Sequence, residues 1–226
     1  MVRADFDRRL EELEAELMSL GEMVEHAIVK SMDALERRDL AVAYEVVAED
    51  DLIDEKRFAL EEKCIDLIAT QQPLAIDLRT LLAVLHIAVE LERMGDYAEG
   101  IGKICMIIGD DEPVDMPKQF AQMARMAVSM LRRSLKSLTD RDTDLANDVW
   151  DSDDEVDELY DGVCRQIFVE MGENPKTIEP ATHFLWVAHD LERIADRATN
   201  IAERVIFVVT GRIGRYKPPE APKGTG

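Results

Sequence analysis

Aromatic side chains are scarce, at 5% of 226 residues, and there are three cysteines, too few and too scattered to staple a fold. Cys64, Cys105 and Cys164 are odd in number, widely spaced and free of any Cys-x-x-Cys, which excludes a disulfide framework and a thiolate zinc site and fits a reducing cytoplasm. Proline and glycine are few before the last fifteen residues, while 46% of the chain is hydrophobic and 33% charged; such a composition describes a soluble, mostly helical protein that folds. No run of eighteen apolar residues occurs, and the opening MVRADFDRRLEELEAELMSL carries acids where a signal peptide would be apolar, so membrane association is expected to be peripheral only. Basic clusters are missing too. With a net charge of −21 and no Lys/Arg block, nucleic acid is not an expected ligand, and metal cations suit the surface better. There is no Gly-x-Ser-x-Gly, no glycine-rich phosphate loop and no repeated basic partner for a cysteine, so no nucleophile constellation is present.

What the sequence does have is long apolar periodicity. From Phe6 to about Arg38, Leu10, Leu13, Leu17, Leu20, Val24, Ile28, Met32 and Leu35 recur mostly at steps of three and four, which predicts one long amphipathic helix. Asp39 is placed to cap a second helix that stops near Gln71-Gln72-Pro73, and Pro73 to open a third, Leu74 to about Ile108. The segment GDDEPVDMP, Gly109–Pro117, reads as a linker. The pattern then restarts, with helices expected over Met116 to about Leu138, Asp142 to about Met171, and Pro175 or Ile178 to about Ile213. Aligned at Asp39 and Asp142 the shift is 103 residues, and at Glu92 and Glu192 it is 100. The expected architecture is all-α, two tandem three-helix bundles related by an internal repeat: 1–110, 116–213, and a disordered tail at 214–226.

The repeat carries a charge pattern. Leu-Glu-Arg-x-x-Asp-x-Ala-x-x-Ile occurs at Leu91–Ile101 and at Leu191–Ile201, so Glu92 with Asp96, and Glu192 with Asp196, each present two carboxylates from one helical face. Asp50 with Asp54, and Asp153 with Asp157, are four-apart pairs on the preceding helices. Asp54 lies roughly 25 Å of helix before the first hairpin and Glu92 roughly 27 Å after it, while the second-half arms are roughly 23 and 24 Å. Antiparallel packing therefore brings four acids level in each bundle. Ionised together they would repel by several kcal/mol, which a hard cation with oxygen ligands, Mg, Mn, Ca or Fe, with Zn also possible, would offset. The bland alternative is a set of solvated surface charges. Arg93 and Arg193 are candidates to hold a carboxylate of the neighbouring helix, or to sit in plain surface ion pairs. None of the four histidines is repeated between the halves, and the Glu-x-x-His pairs of di-iron oxidases are missing. Methionines such as Met123, Met126 and Met130 sit at core spacings, and Trp150 and Trp186 are expected in the core or at an interface.

The segment QQPLAIDLRTLLAVLHIAVELERMGDYAEGI resembles the PhoU family of phosphate-signalling regulators. Its Gln72, Pro73, Ala75, Asp77, Leu78 and Arg79 carry the more specific part of the likeness; the acidic motif matches at Asp50/Asp54, Glu92/Asp96, Asp153/Asp157 and Glu192/Asp196. The resemblance covers about residues 5–213 and implies two three-helix bundles with bound metal (Fe, Zn, Mn or Mg) at those eight acids. It also implies a negative regulator of phosphate uptake rather than an enzyme. That regulator would join the ATPase subunit of a Pst-type phosphate ABC transporter to a PhoR-type sensor histidine kinase. A homodimer is expected. A di-metal carboxylate enzyme, oxidase or phosphohydrolase, is the alternative, and an unmetallated helical scaffold a third. In the second half GENPKTIEPATHF replaces the QQPLAIDLR pattern, so that segment's role is not expected to be duplicated.

Overall fold

In the computed structural model the described residues are 2–109, 115–212 and 214. They form α1 (Val2–Arg37), α2 (Leu40–Gln71), α3 (Ile76–Ile108), α4 (Gln119–Asp140), α5 (Thr143–Asp151), α6 (Asp153–Glu173), a 3-10 turn (Pro175–Thr177) and α7 (Ile178–Thr210), with no strand among them. α1–α3 make one three-helix bundle and α4–α7 a second. The expected tail beyond Gly214 and most of the expected linker lie outside the described residues.

The first turn of each bundle is built the same way. Arg38 and Arg141 adopt φ of 54° and 56°, and the amides that follow close a Schellman pattern: Asp39 N donates to Ala34 O at 2.9 Å, and Asp142 N to Ser137 O at 3.0 Å. The same aspartates then cap the next helices. Asp39 accepts from the amides of Ala41 and Val42, and Asp142 from those of Asp144 and Leu145.

Two expectations need correction. α3 begins at Ile76 rather than at Leu74, because Gln72 caps α2 in the left-handed region and Ala75 follows at φ 51°, ψ −114°, so Pro73 belongs to the turn. The single second-half helix from Asp142 is two helices. At Ser152 the hydroxyl donates to the i−4 carbonyl of Asp148 (2.8 Å) while its Oγ accepts from Arg133, which reaches from α4 (2.9 Å), and the helix breaks there.

The bundles share one continuous apolar core, from Leu17, Leu20 and Ile28 through Leu81, Ile87, Leu91 and Met94 to Phe120, Met123 and Ile194. Met123 and Met130 are buried as the spacing required, whereas Trp186 is half exposed. α3 and α7 lie centrally and antiparallel, with α2 on one flank and α5–α6 on the other. Gly211 ends α7 at φ 72° against Arg79 at the start of α3, where an added Cβ would lie 2.7 Å from Nη1. No helix of the described residues is long and apolar enough to cross a membrane.

Candidate functional site

α2 and α3 bring Asp50, Asp54, Glu92 and Asp96 into one electrostatic cluster. Burial, reinforced by the negative charges of Glu99, Asp96 and Asp54, pushes the Asp50 carboxyl up to about 6. Glu92 is raised by burial and by Asp96, against the pull of Arg93 and Arg57, and Asp96 is raised by burial, with Asp54 and Glu99 adding to it. The close approach has a local cause. Gly95 has no Cβ where one would stand 3.2 Å from Asp50 Oδ1 and from Ile53, so the acid lies directly against α3.

The second cluster repeats the arrangement on α6 and α7. Asp153, raised to about 6 by burial, also feels Asp157, Asp196 and Asp154, and both Asp157 and Glu192 are shifted upward by burial and neighbouring carboxylates. Each expected pair on the middle helix therefore faces the expected pair on the third. Six of the eight expected acids have raised affinity for protons, five of them half-buried in their bundles, which a face of freely solvated charges would not show.

The PhoU domain model matches residues 17–105 and again 120–205. The chain belongs to the PhoU family. Phosphate-specific transport system accessory protein PhoU homologs of Clostridium acetobutylicum and Caulobacter vibrioides are each 38% identical to it; the first match covers 94% of this chain and 97% of the relative, the second 91% and 90%. The crystal structure of the phosphate transport system regulatory protein PhoU from Streptococcus pneumoniae superposes with a TM-score of 0.87 at 29% identity, covering 92% of this chain and 99% of that one. PhoU from Pseudomonas aeruginosa gives 0.86 at 30%, covering 92% and 100%.

Within this PhoU fold the arginines of the motif act differently from one of the two roles expected of them. Arg93 reaches Asp96 (3.5 Å) and Glu92 (3.7 Å) on its own helix, and Arg193 reaches Asp196 (3.1 Å), also on its own helix, while hydrogen-bonding Tyr97 of α3. Neither holds a carboxylate of the neighbouring helix. The cross-helix cation at the first cluster is Arg57 of α2, which approaches Glu92 at 3.8 Å and stacks on Phe58 at 4.1 Å.

Sequence reasoning missed Glu99, three residues beyond Asp96 on the same face of α3, because only four-apart acids were sought. It missed Arg197, whose guanidinium bridges Asp196 (2.9 Å) and Glu90 of α3 (3.2 Å), Glu90 also accepting from Asn200. His189 stands at the edge of the second cluster, 3.8 Å from Glu192. Asp190 is the remaining surprise. Burial pushes it to about 7 where it abuts Gly100, on the seam between α3 and α7.

The donor set suits a hard cation: carboxylate oxygens, with Glu92 Oε2 buried and without a hydrogen-bond partner. Among the described residues no three His, Cys, Asp or Glu side chains already stand grouped as ligands, so an ion would have to draw the acids inward from these rotamers.

Proposed function

We propose that this chain is a regulatory accessory protein of phosphate uptake, acting as a negative regulator in the cytoplasm. In this role it connects the ATPase subunit of a phosphate ABC transporter to a PhoR-type sensor histidine kinase. The observation that carries the reading is full-length kinship with proteins named phosphate-specific transport system accessory proteins, over 94% of this chain in one case. A non-catalytic role agrees with those names. The chain works as a homodimer and meets its partners through protein surfaces, and its acidic charge steers encounter and orientation more than it adds affinity.

Asp50, Asp54, Glu92 and Asp96, joined by Glu99, would hold metal in the first bundle, and Asp153, Asp157, Glu192 and Asp196 in the second. A bound Fe, Zn, Mn or Mg ion would supply positive charge to offset the repulsion among these carboxylates. The chain's own residues do the rest: Gly95 seats Asp50, and Arg57 orients Glu92.

The regulatory reading is tested in a deletion strain grown in ample phosphate, with alkaline phosphatase as readout and retention of the purified ATPase and kinase on the immobilised chain at low and high salt. De-repressed phosphatase and salt-sensitive retention are expected. Silent starvation genes together with no retention at low salt would overturn it in favour of a di-metal enzyme.

A further inference from the structure

α4 departs from the charge of the rest of the chain. It carries Arg125, Arg132, Arg133 and Lys136 against Asp140 alone, in a protein of net charge −21. The helix beside it, α1, holds ten acids and five bases. The two run antiparallel, as Arg132 pairing with Glu25 at 2.6 Å, Gly21 packing on Leu135 and Arg141 pairing with Glu14 establish. Along the pair, α4 numbering falls about one residue for each residue gained on α1. Asp33 is thus level with Arg125.

Between them runs an open groove of about 480 Å³, floored by Ile28, Met32, Ala121, Ala124 and Val128, with Val29 45% exposed at its lip. Asp33 and Glu36 stand on the α1 wall and Arg125 on the α4 wall. The small residues on α4 let another helix approach closely. The face is about 33 Å long and two helices, roughly 20 Å, wide, the order of area that each partner of a stable dimer buries.

We propose that this α1/α4 face binds a second copy of the chain about a twofold axis parallel to the helices. Such an axis preserves level and exchanges α1 for α4, so the acidic helix of each copy lies on the basic helix of the other. Asp33 then meets Arg125 of the second copy, twice by symmetry, in a four-helix layer. An axis across the helices would set acidic α1 on acidic α1. A face with one acidic and one basic wall at matched levels is complementary to itself, and that is what selects a second copy over another partner.

The inference rests on the homodimer proposed above, and sedimentation equilibrium of the full chain separates the two. Wild type is expected to be dimeric, and D33K/E36K and R125E are each expected to dimerise at least about tenfold more weakly, with unchanged helicity and melting temperature. Combining all three substitutions in one chain, or mixing the two variants in equal amounts, is expected to restore the dimer, since the reversed charge at position 33 again meets its opposite at position 125. A wild-type monomer at ~100 μM would overturn both homodimer and face. A wild-type dimer with both variants equally dimeric, or no recovery in the triple variant and the mixture, would overturn the face alone.

Discussion

The two carboxylate clusters are written with the same motif, yet they stand in different electrostatic surroundings. The first gains Glu99 where the second has Thr199, and seats Asp50 against Gly95 where the second has Ala195. Tyr97 in the first corresponds to Arg197 in the second, so Asp196 is held by two guanidiniums, at 2.9 and 3.1 Å, while Asp96 has Arg93 alone at 3.5 Å. A spacing motif fixes which carboxylates meet. Their neighbours decide how much negative charge is left over to attract an ion: at the motif aspartate the first cluster keeps more, since Arg57 stands against Glu92 and Lys103 is engaged by Glu99.

The largest expected consequence concerns metal. Asp54→Asn with Asp96→Asn should weaken binding of manganese, iron or zinc by roughly 100-fold, while Asp157→Asn with Asp196→Asn should cost the second cluster roughly 10-fold, from a weaker start. Titration calorimetry on chelator-stripped protein distinguishes two unequal sites from two equal ones. Equal affinities would break the comparison.

Asp190 against Glu90 gives the next effect. Glu90 has Arg197 and Asn200 across the seam, whereas Asp190 faces Gly100 and is raised to about 7 by burial. An acid whose folded pKa exceeds its unfolded value supports the fold while protonated. That contribution is complete below the unfolded value of about 3.9 and is lost as pH rises through about 7. Asp190→Asn should therefore raise stability at pH 8 by ~2 kcal/mol, allowing for the part of the group that water still reaches, and by almost nothing at pH 4. Urea midpoints at the two pH values measure it; Glu90→Gln should show no such gain.

The same sign governs Asp50 and Asp153, both raised to about 6. In chelator each Asn variant should hold or raise stability at pH 8, by about 1 kcal/mol after allowance for solvent screening, with the gain vanishing near pH 4. A large fall in melting temperature would show instead that these acids anchor structural ion pairs.

Smallest is the exchange of the seats. Gly95→Ala adds a Cβ 3.2 Å from Asp50 Oδ1, displacing the carboxyl, while gaining up to ~1 kcal/mol of helix propensity. Stability should change by less than about 1 kcal/mol, yet metal affinity at the first cluster should fall toward that of the second. Calorimetry beside thermal melts checks both.

Much of this was legible in the residues. Long periodicity gave the helices, and Asp39 announced its cap, which Asp142 repeats in the second half, because capping is a local interaction between an aspartate and the next two or three amides. The facing of Asp50/Asp54 on Glu92/Asp96 followed from counting rises to a hairpin. The break at Ser152 was not legible, because it depends on Arg133 arriving from another helix. The Asp190 seam carries no motif at all: it arises from how the halves pack, which neither half encodes alone. Ala75 hid the true start of α3, since nothing in its side chain foretells a positive φ.

The arginine turns bear on how copies of this chain can entangle. In Arg38-Asp39 and Arg141-Asp142 one aspartate both closes the outgoing helix through its amide and caps the incoming one through its side chain, leaving no spare residue to act as a hinge. Straightening either turn breaks both sets of bonds at once, so each hairpin forms as a local, low-contact-order unit and stays within its own chain. The connection from Gln72 to Ala75 is different: four residues long, with two at positive φ, it would shed strain on opening. Exchange of segments between copies during crowded folding would run through that turn, trading α3 while α1 and α2 stay paired at home.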